Sequence, residues 1–247
     1  MADKDFYLKW KNFWDSKNKP LHAFDTEVWN KKYASEIRFH LQDCQTIVDA
    51  GCGNADILLE LAPYFLMLYG IDYSTSMVEE GRKKISAKSL KNVQLFQADI
   101  LNIDTIIPSR VDAIICYEVV QFLDKIQLVD FVSKSKKILN ESGRILLLNV
   151  LDAKCFDLYS IGFYREQGRI RFTRMISQYL RMKFYLLRKK IRNPSFTYDG
   201  GIGNWYSFQD IIQVAESEQL NCDICYSMFP PYGYRFHAIL TNKSNDR

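Results

Sequence analysis

The 247-residue sequence contains no run of 18 apolar residues, which excludes a bilayer-spanning helix of the ordinary kind. Its first fifteen residues, MADKDFYLKWKNFWD, carry charges where a secretory leader needs an unbroken apolar stretch. Repeats and low-complexity tracts are absent. Histidine is scarce, with only His22, His40 and His237. Six cysteines include one CxxC, Cys222 and Cys225, but no second CxxC or paired histidine completes a four-ligand set. The pair also falls in a strand-like run, where residues three apart face opposite ways. These absences argue against membrane-spanning, secreted disulfide-bonded and metal-centred classes. They lead us to expect a soluble, cytoplasmic protein with reduced cysteines and no metal site.

Hydrophobic residues make up 47% of the chain and aromatics 14%, enough for a substantial core. Short apolar runs alternate with longer stretches of helical period, as in a parallel sheet covered on both faces. Strands are expected over 46–51, 66–72, 92–98, 111–117, 144–150, 222–229 and 234–242. Helices are expected near 55–63, 75–88, 124–140 and 207–219, the last opened by a capping box of Ser207 and Asp210. The final two strands are joined through PPYGY, too short for a parallel crossover, so they must be antiparallel. A single domain over 1–247 follows. It divides into an aromatic-rich helical cap (1–45, with Trp10, Phe13, Trp14 and Trp29), a doubly wound half (46–150), a helical insertion (151–200), and a last helix with a C-terminal hairpin (201–247).

The most informative stretch is Thr46-Ile-Val-Asp-Ala-Gly-Cys-Gly-Asn-Ala55, a buried strand running into a glycine turn and a helix. Gly51 and Gly53 permit the tight turn and leave room for a ligand against the main chain. Asp49, Asp72 and Asp99 end or follow three successive strands, so three carboxylates converge on the ligand-binding edge of the sheet. Asp72 lies about twenty residues beyond the glycines, where an acid can accept from ribose hydroxyls. A pyrophosphate-bearing dinucleotide would be repelled by Asp49 and Asp56, and position 56 lacks the third glycine. S-adenosylmethionine (SAM), with a sulfonium and an ammonium, suits these carboxylates.

On these residues the chain resembles the class I SAM-dependent methyltransferases, especially those acting on small molecules, over residues 46–150. The resemblance implies a seven-stranded sheet of order 3-2-1-4-5-7-6 with the last strand antiparallel. It implies that Asp49, Gly51 and Gly53 pack against the methionine part of SAM, and that Asp72 holds the ribose. It places Tyr73 against the adenine and Asp99 at the adenine amino group beside Ile100. It makes Cys116 to Leu123 the fourth-strand motif that lines cofactor and acceptor. S-adenosylhomocysteine (SAH) would be the product. The chain departs from the family in two places: Ala55 replaces a third glycine, and Gln121-Phe122 stands where a histidine is common. The DPPY or NPPY motif of adenine and glutamine methylation is replaced by CYEV.

The acceptor chemistry is less defined. An oxygen nucleophile needs a base, for which the candidates are Glu118, Tyr117, His22 and His237, the last alternatively a packed strand residue. His40 reads as structural. Residues 154–192 hold eleven Lys or Arg against two acids, Asp157 and Glu166, a net of +9 against −5 for the rest of the chain. This amphipathic basic segment reads as a solvated helix, as a site for an anionic or carrier-linked acceptor, as a membrane-surface contact, or, less readily, as an RNA contact. The glycine-and-aromatic stretch 197–206 is expected to border the pocket. The reading is a methyltransferase acting on O or N of a small or carrier-linked metabolite such as a sugar, an amine or a specialised-metabolite intermediate. An RNA methyltransferase and a non-catalytic SAM-binding scaffold are the alternatives.

Overall fold

The structure, a computed structural model, describes residue 13 and residues 26–161, 172–192, 202–226 and 233–243. One seven-stranded sheet organises them, in the order β3-β2-β1-β4-β5-β7-β6. Its strands are β1 (Thr46–Ala50), β2 (Met67–Asp72), β3 (Val93–Gln97), β4 (Val111–Tyr117), β5 (Leu139–Leu151), β6 (Leu220–Cys225) and β7 (Arg235–Asn242). The first five are parallel to one another, while β7 runs antiparallel to both β5 and β6. Order and strand directions are those expected from the sequence.

Alternation along the strands sorts the core into two layers. Ile114 and Cys116 of β4 point to one face, with Val48 and Ile71, under α4 (Ile103–Ile106), α5 (Lys125–Ile138) and α8 (Phe208–Ser217). Ala113 and Ile115 point to the other, with Ile47 and Leu68, under α1 (Thr26–His40), α2 (Asp56–Leu61) and α3 (Thr75–Ala87). Two further helices, α6 (Phe156–Ser160) and α7 (Phe172–Arg192), belong to the insertion after β5.

Local chemistry sets the helix starts. Asp124 and Ser207 both form reciprocal capping boxes, with Gln127 and Asp210 respectively, and Ser74 caps α3 by accepting from the Met77 amide. Strand β5 begins five residues earlier than expected, at Leu139, because Leu139 already pairs with Val111 and the Asn140 side-chain amide donates to Asp112 Oδ1 at 2.6 Å. All six cysteines are free thiols; Cys222 and Cys225 lie opposite Leu240 and His237. Among the described residues no group of His, Cys, Asp or Glu could hold a metal, and no helix is long and apolar enough to cross a membrane.

Candidate functional site

The carboxyl ends of β1, β2 and β4 surround a turn built to approach a ligand closely. Gly51 has φ +95°, and a Cβ there would lie 2.2 Å from Cγ2 of Val119, so glycine is required by sterics as well as by conformation. Gly53 (φ +52°) faces open space, where a Cβ would meet nothing within 4 Å. Ala55, also left-handed at φ 64°, opens α2 and is fully buried. This replacement of a third glycine keeps the same backbone, at a cost of roughly 1–2 kcal/mol for a residue with a Cβ.

Asp72 links the turn to the second strand. Its Oδ2 accepts from the Gly53 amide and its Oδ1 from the Ser74 amide, each at 2.9 Å. A carboxylate oxygen has more than one lone-pair site, so both oxygens can still accept from a ligand hydroxyl. Burial raises the Asp72 pKa above the ordinary carboxylate range, and the two amide donors oppose that rise. Asp49 sits deeper, between Gly70 and Ile115 of the neighbouring strands. Its Oδ1 is buried with no hydrogen-bond partner, and its pKa is pushed up to about 7, first by burial and then by the charge of Asp72. A buried acid without a donor is costly unless something cationic comes to it.

The remaining expected cofactor residues line the same edge. Asp99 follows β3 and accepts from the Leu101 amide at 3.0 Å, while Ile100 is buried beside it. Tyr73 lies directly after Asp72 and its carbonyl accepts from Gln97 at 2.8 Å. Cys116 is wholly buried, its thiol pushed far up by burial and secondarily by Asp49, so it remains protonated.

Beyond β4 the backbone turns through Glu118 at φ 57°, directly opposite a bulge in β5 where Asn149 takes φ 56°. The Asn149 side-chain amide donates to both Tyr117 Oη (3.1 Å) and Glu118 Oε1 (3.2 Å), joining two expected catalytic residues. Arg235, from the antiparallel β7, closes this group. Its Nη1 donates to the Asn149 carbonyl at 2.9 Å and to Gln121 Oε1 at 3.2 Å, and lies 3.6 Å from Glu118 Oε1. Tyr33 of α1 packs its ring 5.4 Å from that of Tyr117. The segment 203–206 borders the same corner: Asn204 and Tyr206 both donate to the Leu123 carbonyl, and Trp205 packs against Phe156, Tyr159 and Tyr234.

The histidines separate. His237 is buried in β7, its Nδ1 accepting from the Asn149 amide at 3.0 Å and its Nε2 3.4 Å from Glu36 of α1. Only Nδ1 is hydrogen-bonded; Nε2 is buried near the Glu36 carboxylate without a hydrogen bond to it, and the ring sits within the strand layer. His40 ends α1 with its ring 6.3 Å from His237; burial, followed by the neighbouring His237, lowers its pKa. His22 lies outside the described residues. Sequence reasoning placed Gln121 in the fourth-strand motif but missed Glu36, Asn149 and Arg235; the trace of the last two was a polar residue inside each of the apolar runs LLLNVL and YRFHAIL.

A family model described as "Methyltransferase domain" matches residues 47–143. A protein of Saccharomyces cerevisiae described as "Probable S-adenosylmethionine-dependent methyltransferase CRG1" is 29% identical over 98 residues, 39% of this chain and 34% of the relative. The matched part thus spans about a third of that relative's length. The magnesium protoporphyrin IX methyltransferase of Synechocystis, solved with bound SAM, superposes with a TM-score of 0.61 at 12% identity, covering 98% of this chain and 100% of that one. A SAM-dependent methyltransferase of Leishmania major gives 0.64 at 13%, covering 95% and 82%. At these identities the structures speak to the fold.

Proposed function

We propose that the protein is a class I SAM-dependent methyltransferase that binds SAM at the β1–β2–β4 edge and transfers its methyl group to an oxygen or nitrogen of a small or carrier-linked metabolite, a reading supported by the methyltransferase-domain match over residues 47–143. The observation that carries this reading is the partnerless buried Oδ1 of Asp49 beside the Gly51 turn. A dinucleotide would bring phosphate to that point, whereas SAM would bring an ammonium. When bound, SAM supplies a methyl group activated by its sulfonium, so the protein needs mainly to align and desolvate the acceptor.

Each residue then has a definable task. Asp49 pairs with the ammonium at the amino-acid end of the cofactor, and Gly51 keeps the main chain close to it. Asp72 accepts from the ribose hydroxyls while holding the Gly53 and Ser74 amides. Tyr73 and Ile100 flank the adenine, Asp99 accepts from its amino group, and Cys116 closes the floor. Tyr117 and Glu118, tied together by Asn149, orient a hydroxyl or amine, and the Arg235 guanidinium lies 3.6 Å from the Glu118 carboxylate. Such a polar cluster favours a hydrogen-bonding acceptor over an apolar one, because an acceptor without donors leaves those groups unpaired. The aromatic group around Trp205 shields the same corner from water.

Calorimetric titration with SAH tests the premise, using the wild type, Asp72→Ala and the more conservative Asp72→Asn, each shown to be folded by its melting transition. The expected result is binding by the wild type weakened at least tenfold (~1.4 kcal/mol) in Asp72→Ala, and then transfer of labelled methyl to hydroxyl- or amine-bearing acceptors. Folded wild-type protein that ignores SAH would overturn the proposal.

A further inference from the structure

Helix α7 combines three features that the proposed chemistry does not use. It is long, 21 residues, about 31 Å at 1.5 Å per residue. It contains seven Lys or Arg and no Asp or Glu. It also exposes large apolar side chains in a continuous stripe: at 3.6 residues per turn Ile176, Leu180, Phe184, Leu187 and Ile191 fall along one line, with Leu180 and Phe184 61% exposed and Ile191 72%. The opposite side, through Met175, Gln178, Met182 and Leu186, is partly covered. A second apolar stripe is therefore left to solvent beside the partly covered one, which an ordinary surface helix would not leave exposed.

The cations are placed around that stripe. Arg181, Arg188 and Arg192 border one side, and Lys183 and Lys190 the other, with Arg188 over the Phe184 ring at 5.7 Å. Lys183 also pairs with Asp157 at 3.1 Å, tying α7 to α6, whose Phe156 and Tyr159 pack on Trp205. A protein partner would have to offer an apolar groove edged by acids on both sides, and RNA would leave the apolar stripe in water. An anionic lipid surface satisfies both parts at once, with acyl chains for the stripe and headgroups for its borders. We propose that α7 lies in the interface of an anionic membrane, its Ile176–Leu180–Phe184–Leu187–Ile191 stripe buried and its flanking arginines and lysines on the headgroups. The anchorage through α6 puts the rim of the candidate site beside that surface, so the docked enzyme meets acceptors that are held at, or partition to, the membrane.

The test is co-sedimentation of the full chain with vesicles of phosphatidylcholine alone and with added phosphatidylglycerol, across a salt series. Variants are Leu180→Glu with Phe184→Glu, and Arg181→Ser with Arg188→Ser; SAH titration of each provides a readout of the folded cofactor site that is independent of lipid. Binding is expected only with phosphatidylglycerol and should decline with salt. Removing two arginines should weaken it roughly 25-fold, the effect of two headgroup-facing cations, and the double glutamate should abolish it, with SAH binding unchanged. No wild-type sedimentation with anionic vesicles would refute the proposal. So would binding indifferent to Leu180→Glu with Phe184→Glu, or a stripe that serves instead to join two copies in sedimentation equilibrium, or a preference for single-stranded RNA that anionic vesicles fail to displace.

Discussion

Replacing Asp49 with Asn should separate stability from cofactor affinity, and the size of each effect follows from its burial. In the folded protein the Asp49 carboxyl titrates at about 7, against about 3.9 in an unfolded chain. Below about pH 3 both states keep the proton and the group has little effect. As pH rises the unfolded chain releases the proton first, so the folded state loses stability progressively until about pH 7, above which the penalty is constant at ~4 kcal/mol. Asn carries no such penalty. The stability advantage of Asp49→Asn over the wild type should therefore grow by about 2.5 kcal/mol between pH 5 and pH 8, whatever constant difference the amide introduces. Urea unfolding of both proteins without ligand, at the two pH values, measures this directly. The binding arm runs the other way: an ammonium-bearing ligand needs the carboxylate, so wild-type affinity for SAH should fall about tenfold from pH 8 to pH 6, while Asp49→Asn binds weakly at both. A stability difference that stays flat between pH 5 and 8, or wild-type affinity equal at pH 6 and 8, would refute the reasoning.

Two other substitutions probe the turn and the buried ion pair. Gly51→Ala forces a Cβ to within 2.2 Å of Val119 and onto φ +95°, and should cost about 2–3 kcal/mol in thermal or urea unfolding, with SAH affinity reduced at least tenfold; Val119→Ala in the same chain should restore only part of the stability, since the dihedral strain persists. Arg235→Met removes the guanidinium beside the part-buried Glu118 carboxylate and should destabilise by roughly 3–5 kcal/mol at neutral pH, a loss that Glu118→Gln in the same chain partly recovers. An unaltered urea midpoint in Arg235→Met would remove Arg235 from its assigned position.

The sheet was legible because its information is local. Each of Thr46–Ala50, Met67–Asp72 and Val111–Tyr117 is a short apolar run with a turn at its end, and the acids Asp49 and Asp72 stand at those ends where topology alone brings them together. The Ser207–Asp210 capping box was readable for the same reason, since donor and acceptor are three residues apart. The corner beyond β4 was not legible. Asn149 reaches Tyr117 and Glu118 only because a bulge turns it to φ 56°, and bulges leave no periodic mark. Arg235 meets Asn149 across 86 residues and Gln121 across 114, and Glu36 meets His237 across a still longer interval. One charged residue within an apolar strand shows that a partner must exist but does not say which one.

The Glu36–His237 pair also has a temporal side. Helix α1 leaves the ribosome about 200 residues before the strand that holds its buried carboxylate, and loop closure over such a span gains nothing until both ends are in place. Ala34, Ile37 and Leu41 join the core beside α2 through apolar contact, whereas the pairing of Glu36 with His237 requires β7 to be in place. The same strand carries Arg235 to Asn149 and His237 to Glu36, so one late-synthesised element serves both the corner beyond β4 and the seat of α1.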